Sequence, residues 1–173
     1  LLNHNDISKF YKKPFAYFTD DEKERAYDLI KNIGIQKGQK WICIHNRDSR
    51  YLRTTYPNYD WSYHNYRNFS VNSLKPASEF FASKGYCVLR MGYLQEENLI
   101  SNNPKIIDYA NSSFRNEFLD IYLLANCEFY FGADSGPSDI AYNFMKPAYG
   151  INFSSTLICS GRSHLPWLFI FKR

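Results

Sequence analysis

The sequence predicts an α/β domain: three layers of structure around a mostly parallel sheet. Three observations carry that expectation. Short apolar, strand-like runs alternate with segments of helical periodicity. Glycines stand where two of those helices should stop. Dense polar clusters follow the apolar runs instead of lying along them. Strand–helix alternation builds parallel pairs joined by right-handed crossovers, so the expected layer is Rossmann-like.

The elements follow in order. Thr19-Asp20-Asp21-Glu22 is a capping box that opens a first helix, with Ala26, Leu29, Ile30 and Ile33 as its apolar face and Gly34 as its stop. Residues 36–40 form a polar turn, and 41–45, WICIH, the first strand. Residues 52–72 show no clear period and read as a long loop. Ser73 is expected to cap a second helix, with Leu74, Ala77, Phe80 and Phe81 inward and Gly85 as its end. Then come a strand at 86–91, a short strand at 105–110 after Pro104, and a helix at 114–126. That helix should bury Phe118, Ile121, Tyr122, Leu124 and Ala125. A strand at 128–132, a helix opened by Ser135-Gly136-Pro137 and a strand at 147–152 follow. The last 21 residues are expected to be irregular or weakly helical.

Composition narrows the classes. The chain has 173 residues, enough for one domain spanning 1–173, with 45% hydrophobic and 22% charged residues. Its net charge of +4 is spread without a Lys/Arg block, which argues against nucleic acid and suits a small anion held by a few arginines. The 15 Tyr and 14 Phe are first of all core material, although such rings also suit planar or sugar-like partners. No apolar run reaches the roughly 18 residues of a membrane span. The longest, Leu165 to Phe171, should pack on the domain or on a neighbouring one; peripheral contact with a membrane is its second reading. Cys43, Cys87, Cys127 and Cys159 lack paired spacing and read as buried thiols of a reducing compartment. The histidines are too dispersed for a metal site, and no cofactor is expected. The chain starts at Leu1 without a signal peptide and reads as an excerpt of something longer.

In parallel sheets ligands bind beyond the carboxyl ends of the strands. There the sequence places His45, Arg47 and Asp48, then Arg90 and Gly92, then Ser112 and Ser113, then Asp134, Ser135 and Gly136, and last Asn152. Arginine forks match phosphate oxygens, and a helix opening at Ser135-Gly136 aims free N–H groups at the same rim. Each residue also has a plain reading. Arg47 could pair with Asp48 or Asp108. Ser135 could be only a cap, Asp134 a turn residue, and His45 a satisfied edge histidine. Asp120 reads as solvated or structural. Arg67 and Asn68 lie in a loop without legible register. A dinucleotide fingerprint, a phosphate-binding P-loop and a hydrolase nucleophile elbow are all absent.

The strings IHNRDSRYL, HNYRNFS, GYCVLRMG, IIDYANS, FLDIYLLANCEFYFGADSG and KPAYGIN resemble a bacterial glycosyltransferase-like family of surface-polysaccharide clusters. The resemblance runs in order over residues 40–153. One departure is Asp134, where that family more usually has a small or hydroxyl residue. The family is similar to two-lobed (GT-B) glycosyltransferases, including fucosyltransferases with an H-x-R-D-like motif. The resemblance implies that this chain is the C-terminal, donor-binding half, with an N-terminal acceptor lobe outside it. It implies a nucleotide-sugar donor, a glycan or lipid-linked glycan acceptor, metal-independent chemistry and a place in the cytoplasm or at the inner face of the membrane. Arg47, Arg67, Asn68, Arg90, Gly92, Ser135, Gly136 and Asn152 would then hold donor, and Asp48 or His45 would serve as base. A non-catalytic nucleotide-sugar or glycan-binding module of the same fold is the alternative. A nucleotide-dependent oxidoreductase is disfavoured, because Arg90 stands where an acidic ribose partner belongs.

Overall fold

A computed structural model describes residues 13, 14, 16–153 and 166–171. Its elements are α1 (Asp20–Asn32), β1 (Trp41–His45), α2 (Arg50–Thr55), α3 (Lys75–Ser83), β2 (Cys87–Arg90), β3 (Ile106–Ile107), α4 (Glu117–Asn126), β4 (Tyr130–Gly132), α5 (Gly136–Asn143), β5 (Ala148–Phe153) and β6 (Trp167–Phe171). Short 3-10 turns cover Ser62–Arg67, Val71–Leu74 and Tyr109–Asn111. The six strands lie in the order β3-β2-β1-β4-β5-β6, and every pair is parallel. Chain direction across the sheet reverses at the β1/β4 seam, which is the switch point where ligands bind in such folds.

Strand alternation makes the layers. Cys43 and Leu89 face the cluster that holds Ile30, Leu119, Leu123 and Ala141 from α1, α4 and α5. Ile42, Ile44 and Val88 face the opposite cluster, with Leu74 and Ala82 from the α3 side. Both faces are thus covered, as parallel sheets require. At the seam, Gly132 lies opposite His45, and a Cβ there would meet the His45 carbonyl oxygen at 2.3 Å. Only glycine lets the two strands close at that point.

The capping box at Thr19 forms as expected: Thr19 Oγ1 accepts from the Glu22 N–H at 3.2 Å, and Glu22 accepts from the Thr19 N–H at 2.8 Å. Gly34 and Gly85 take positive φ just past their helices. Several expectations are corrected. Ser73 caps nothing; Ser70 starts a 3-10 turn, and α3 begins after it with Pro76 in its first turn. Its Phe80 is exposed, and Ser78 takes the inner position. In α4, Ile121 faces solvent while Leu119 and Leu123 are buried. Only Ile106 and Ile107 of the expected third strand pair with β2, because Asp108 turns in toward Arg90. Trp167–Phe171, expected to be irregular, is an edge strand on β5. Trp167 is buried and Phe169 packs on the core, while Leu168 and Ile170 face outward. Cys43, Cys87 and Cys127 are free and buried; Cys159 lies outside the described residues.

Among the described residues, no helix is long and apolar enough to cross a membrane, and no cluster of His, Cys, Asp and Glu could hold a metal ion.

Candidate functional site

A cleft of about 830 Å³ opens at the carboxyl ends of β1, β2 and β4. Its lining includes seven of the residues singled out in the sequence: His45, Arg47, Asp48, Arg67, Gly92, Ser135 and Gly136. Asn68, Arg90 and Asn152 are not in that lining; each stands behind a residue that is.

Arg47 enters the cleft directly after β1 and is 9% exposed. Its Nη1 donates to the His64 carbonyl at 3.1 Å and to Asn68 Oδ1. Those partners are neutral, so the guanidinium is held in place while its charge stays uncompensated within its own hydrogen-bond shell. Burial, and after it the charge of Arg67, depresses its pKa from the usual arginine value. Arg67 is fastened to the β4–α5 loop: its Nη2 donates to the Asp134 carbonyl and lies 3.5 Å from Asp134 Oδ2. Asn152 adds a second fastening, donating to the Arg67 carbonyl at 3.1 Å from a positive φ of 56°. Two guanidiniums held close together repel each other, and proteins accept that repulsion where an anion is to be bound.

The helix α5 opens onto the same cleft. Ser138 Oγ accepts from the Ser135 N–H at 3.2 Å and donates to the Ser135 carbonyl at 2.8 Å. Gly136 brings no Cβ near any neighbour, so backbone is open to a ligand at the positive end of the helix dipole.

His45 is buried, and its Nδ1 lies 2.9 Å from the Met91 carbonyl oxygen. A carbonyl only accepts, so Nδ1 carries the proton and Nε2 is left as the acceptor. Burial lowers its pKa to about 4. The ring is therefore neutral at pH 7 and a weak base. Asp48 is fully engaged: Oδ1 accepts from the Arg50 N–H and Oδ2 from the Glu96 N–H, both at 3.0 Å. It staples the loop after β1 to the loop after β2.

Arg90 departs most from expectation. It is fully buried, and its guanidinium donates to Asp108 Oδ1 at 2.9 Å, Asn46 Oδ1 at 3.0 and 3.3 Å, and Gln95 Oε1 at 2.9 Å. A charge at the end of a central strand needed a reason, and this network is the reason. It ties together the loops that follow β1, β2 and β3. Gly92, with φ of 140°, lets Gln95 fold back against the backbone, where a Cβ would sit 2.8 Å from the Gln95 amide.

The other wall of the cleft was not expected as part of the site: Arg115 went unread, and Asp120 was read as solvated or structural. Arg115, Glu117 and Asp120 line it from the start of α4, with Tyr93 and Tyr51 beside them. Arg115 lies over the Tyr93 ring at 3.9 Å and pairs with Asp120 at 2.5 Å. Burial raises the Asp120 pKa against the opposing pull of Arg115. Polar residues recurring at the head of an otherwise apolar helix were the available signal.

Four buried side-chain polar atoms lack a hydrogen-bond partner among the described residues: His64 Nδ1, Arg115 Nε, Asp120 Oδ1 and Ser135 Oγ. All four belong to residues that line this cleft. Buried polar groups are nearly always paired, and leaving one unpaired costs about 1–3 kcal/mol. Their concentration in one place marks a binding site and not a packing fault.

Neither a family model nor a curated protein sequence matches this chain. Its fold matches that of the glycosyl transferase family 9 protein from Veillonella parvula DSM 2008, with a TM-score of 0.58 at 11% sequence identity. The match covers 90% of this chain and 42% of that one, so the chain spans less than half the length of its structural neighbour. The likeness is one of fold: a Rossmann-like α/β domain built on a parallel sheet.

Proposed function

We propose that this chain is the donor-binding half of a two-lobed glycosyltransferase and that the cleft holds the diphosphate of a nucleotide sugar. One observation carries the reading: Arg47 is buried at the switch point with only neutral hydrogen-bond partners, beside Arg67 and the α5 N-terminus. That is the electrostatic frame a diphosphate requires. The fold neighbour supports the class.

In the transfer, the bond between the sugar's anomeric carbon and the diphosphate oxygen breaks. The diphosphate leaves with the electron pair, and the acceptor hydroxyl forms the new bond and gives up its proton. Charge grows on the leaving diphosphate, which would meet Arg47, Arg67 and the Gly136 N–H at the start of α5. None of these groups must reorganise, because Asn68, the His64 carbonyl and Asp134 hold the arginines in position. Arg90 contributes by fixing the loops and does not contact the donor. Neutral His45 offers Nε2 to a donor hydroxyl as an acceptor. We assign the base role to neither expected residue. His45 is too weak a base, and Asp48 has both oxygens committed to backbone N–H groups. The base would come from the acceptor lobe. The acceptor is a glycan or lipid-linked glycan.

The lack of a placed base among the described residues is also what a binding module would show. The full-length protein settles the choice when supplied with nucleotide sugars and followed for nucleoside-diphosphate release. The proposal expects release, lost in Arg47→Ala. Tight donor binding without release in the presence of acceptor extracts would favour the module.

A further inference from the structure

We propose that Arg115 and Asp120 form the subsite for the uncharged part of the nucleotide, its base or its ribose. The inference rests on the nucleotide reading above and extends it to a pair of residues with no part in binding the phosphates.

The pair does little for the fold. Its members lie five residues apart at the head of one helix, so the bond between them secures no tertiary contact. The helix does not need them as a cap, because Asn116 Oδ1 already accepts from the Leu119 N–H at 2.9 Å. The Tyr109 hydroxyl donates to the Asn116 carbonyl at 3.2 Å and also lies in bonding contact with Asp120, whose charge it favours. Arg115 Nε and Asp120 Oδ1 are enclosed without a well-formed hydrogen bond of their own, one donor and one acceptor in the same wall. A buried ion pair of this kind is commonly no better for stability than apolar residues of the same size. A recognition role accounts for it.

Charge decides which part of the ligand it meets. Arg47, whose hydrogen-bond partners are all neutral, and the α5 N-terminus make the first wall cationic and suited to phosphate, with Arg67 beside them paired to Asp134. The Arg115–Asp120 pair is neutral as a unit and suits an uncharged group with an acceptor next to a donor. A nucleobase edge and the vicinal hydroxyls of ribose share that chemistry. Flat surfaces stand beside it: Tyr93 and Tyr51 are 45% and 40% exposed, and their ring centroids are 6.1 Å apart.

The test is calorimetric titration of the protein with pyrophosphate, ribose 5-phosphate, UDP, GDP, ADP and CDP. It compares the native chain with Asp120→Asn and Arg115→Gln, both checked for an unchanged thermal midpoint. Each variant should weaken the best nucleoside diphosphate by about tenfold or more and leave pyrophosphate within about twofold. A parallel loss with ribose 5-phosphate assigns the ribose. An altered ranking of the four nucleotides without that loss assigns the base. Equal weakening of pyrophosphate and nucleotide, or no weakening of either, overturns the proposal. If the native chain holds pyrophosphate as tightly as any nucleotide, this inference fails and the anion site stands. If it binds none of the six, the cleft reading fails with it.

Discussion

Arg90→Ala removes a fully buried guanidinium and, with it, hydrogen bonds to Asn46, Asp108 and Gln95. Breaking a buried ion pair by deleting one partner costs about 3–5 kcal/mol. Here Asp108 is partly protected, because its Oδ2 still accepts from the Leu99 N–H at 2.9 Å and from Asn111 at 3.1 Å. Asn46 Oδ1 and Gln95 Oε1 lose charged donors in exchange for nothing, at about 1–3 kcal/mol each. The two amides alone account for a loss of about 4 kcal/mol, a large share of the roughly 5–15 kcal/mol that domains possess. Urea unfolding at pH 7 reads it directly, with a midpoint lowered by about 2 M if the slope is about 2 kcal/mol per M. Arg90→Lys keeps the charge near Asp108 but cannot span three acceptors, so it should recover only part of the loss. A change below about 1 kcal/mol, accompanied by weakened nucleotide binding, would refute the reasoning and restore Arg90 to the ligand.

Further outcomes follow from the same geometry. His45 has a folded-state pKa of about 4 against an ordinary value of 6.5. Between those pH values the unfolded chain binds the extra proton, so the group's contribution is complete above pH 6.5 and disappears as pH falls toward 4. Its size is roughly 3 kcal/mol at 1.36 kcal/mol per pH unit, and His45→Gln should flatten the stability-versus-pH curve in that window; an unchanged slope counts against a buried neutral ring. Gly132→Ala forces a methyl group into the His45 carbonyl and should cost more than about 2 kcal/mol or prevent folding, measured by chemical denaturation. Asp48→Asn loses one loop staple and should lower stability by about 1 kcal/mol while sparing turnover to within about tenfold. A thousandfold loss of the proposed transfer in the full-length protein would instead make Asp48 the base.

Much of this architecture was legible because period and punctuation agree. WICIH, YCVLRM and EFYFG are short apolar runs, and each became a strand near its expected limits. Trp167–Phe171 failed as a signal because five consecutive apolar residues show neither alternation nor helical period, and only the waiting edge of β5 makes them a strand. Ser73 looked like a cap because local chemistry cannot tell it from Ser70 three residues earlier; the turn at Val71, buried by tertiary packing, decides between them. The site was half legible. The H-x-R-D cluster, Gly92 and Ser135-Gly136 met at one cleft because they sit at strand ends, which sequence can locate. Which arginine faces inward is set by partners far along the chain: Asp108 and Gln95 claim Arg90, while Arg47 receives only the His64 carbonyl and Asn68. The Arg115–Asp120 wall was not foreseen, and Asp120 was read as solvated or structural, because a polar helix start usually signals nothing more than exposure.

The most direct test of the central claim is an amide-shift titration of the isotopically labelled chain with nucleoside diphosphates. The account expects saturable shifts at residues 45–47, 64–67, 92–95 and 134–136, weakened at least about tenfold by Arg47→Ala in a chain that remains folded. Saturable shifts confined to another surface, or no shifts from any nucleotide with a folded chain, would contradict it.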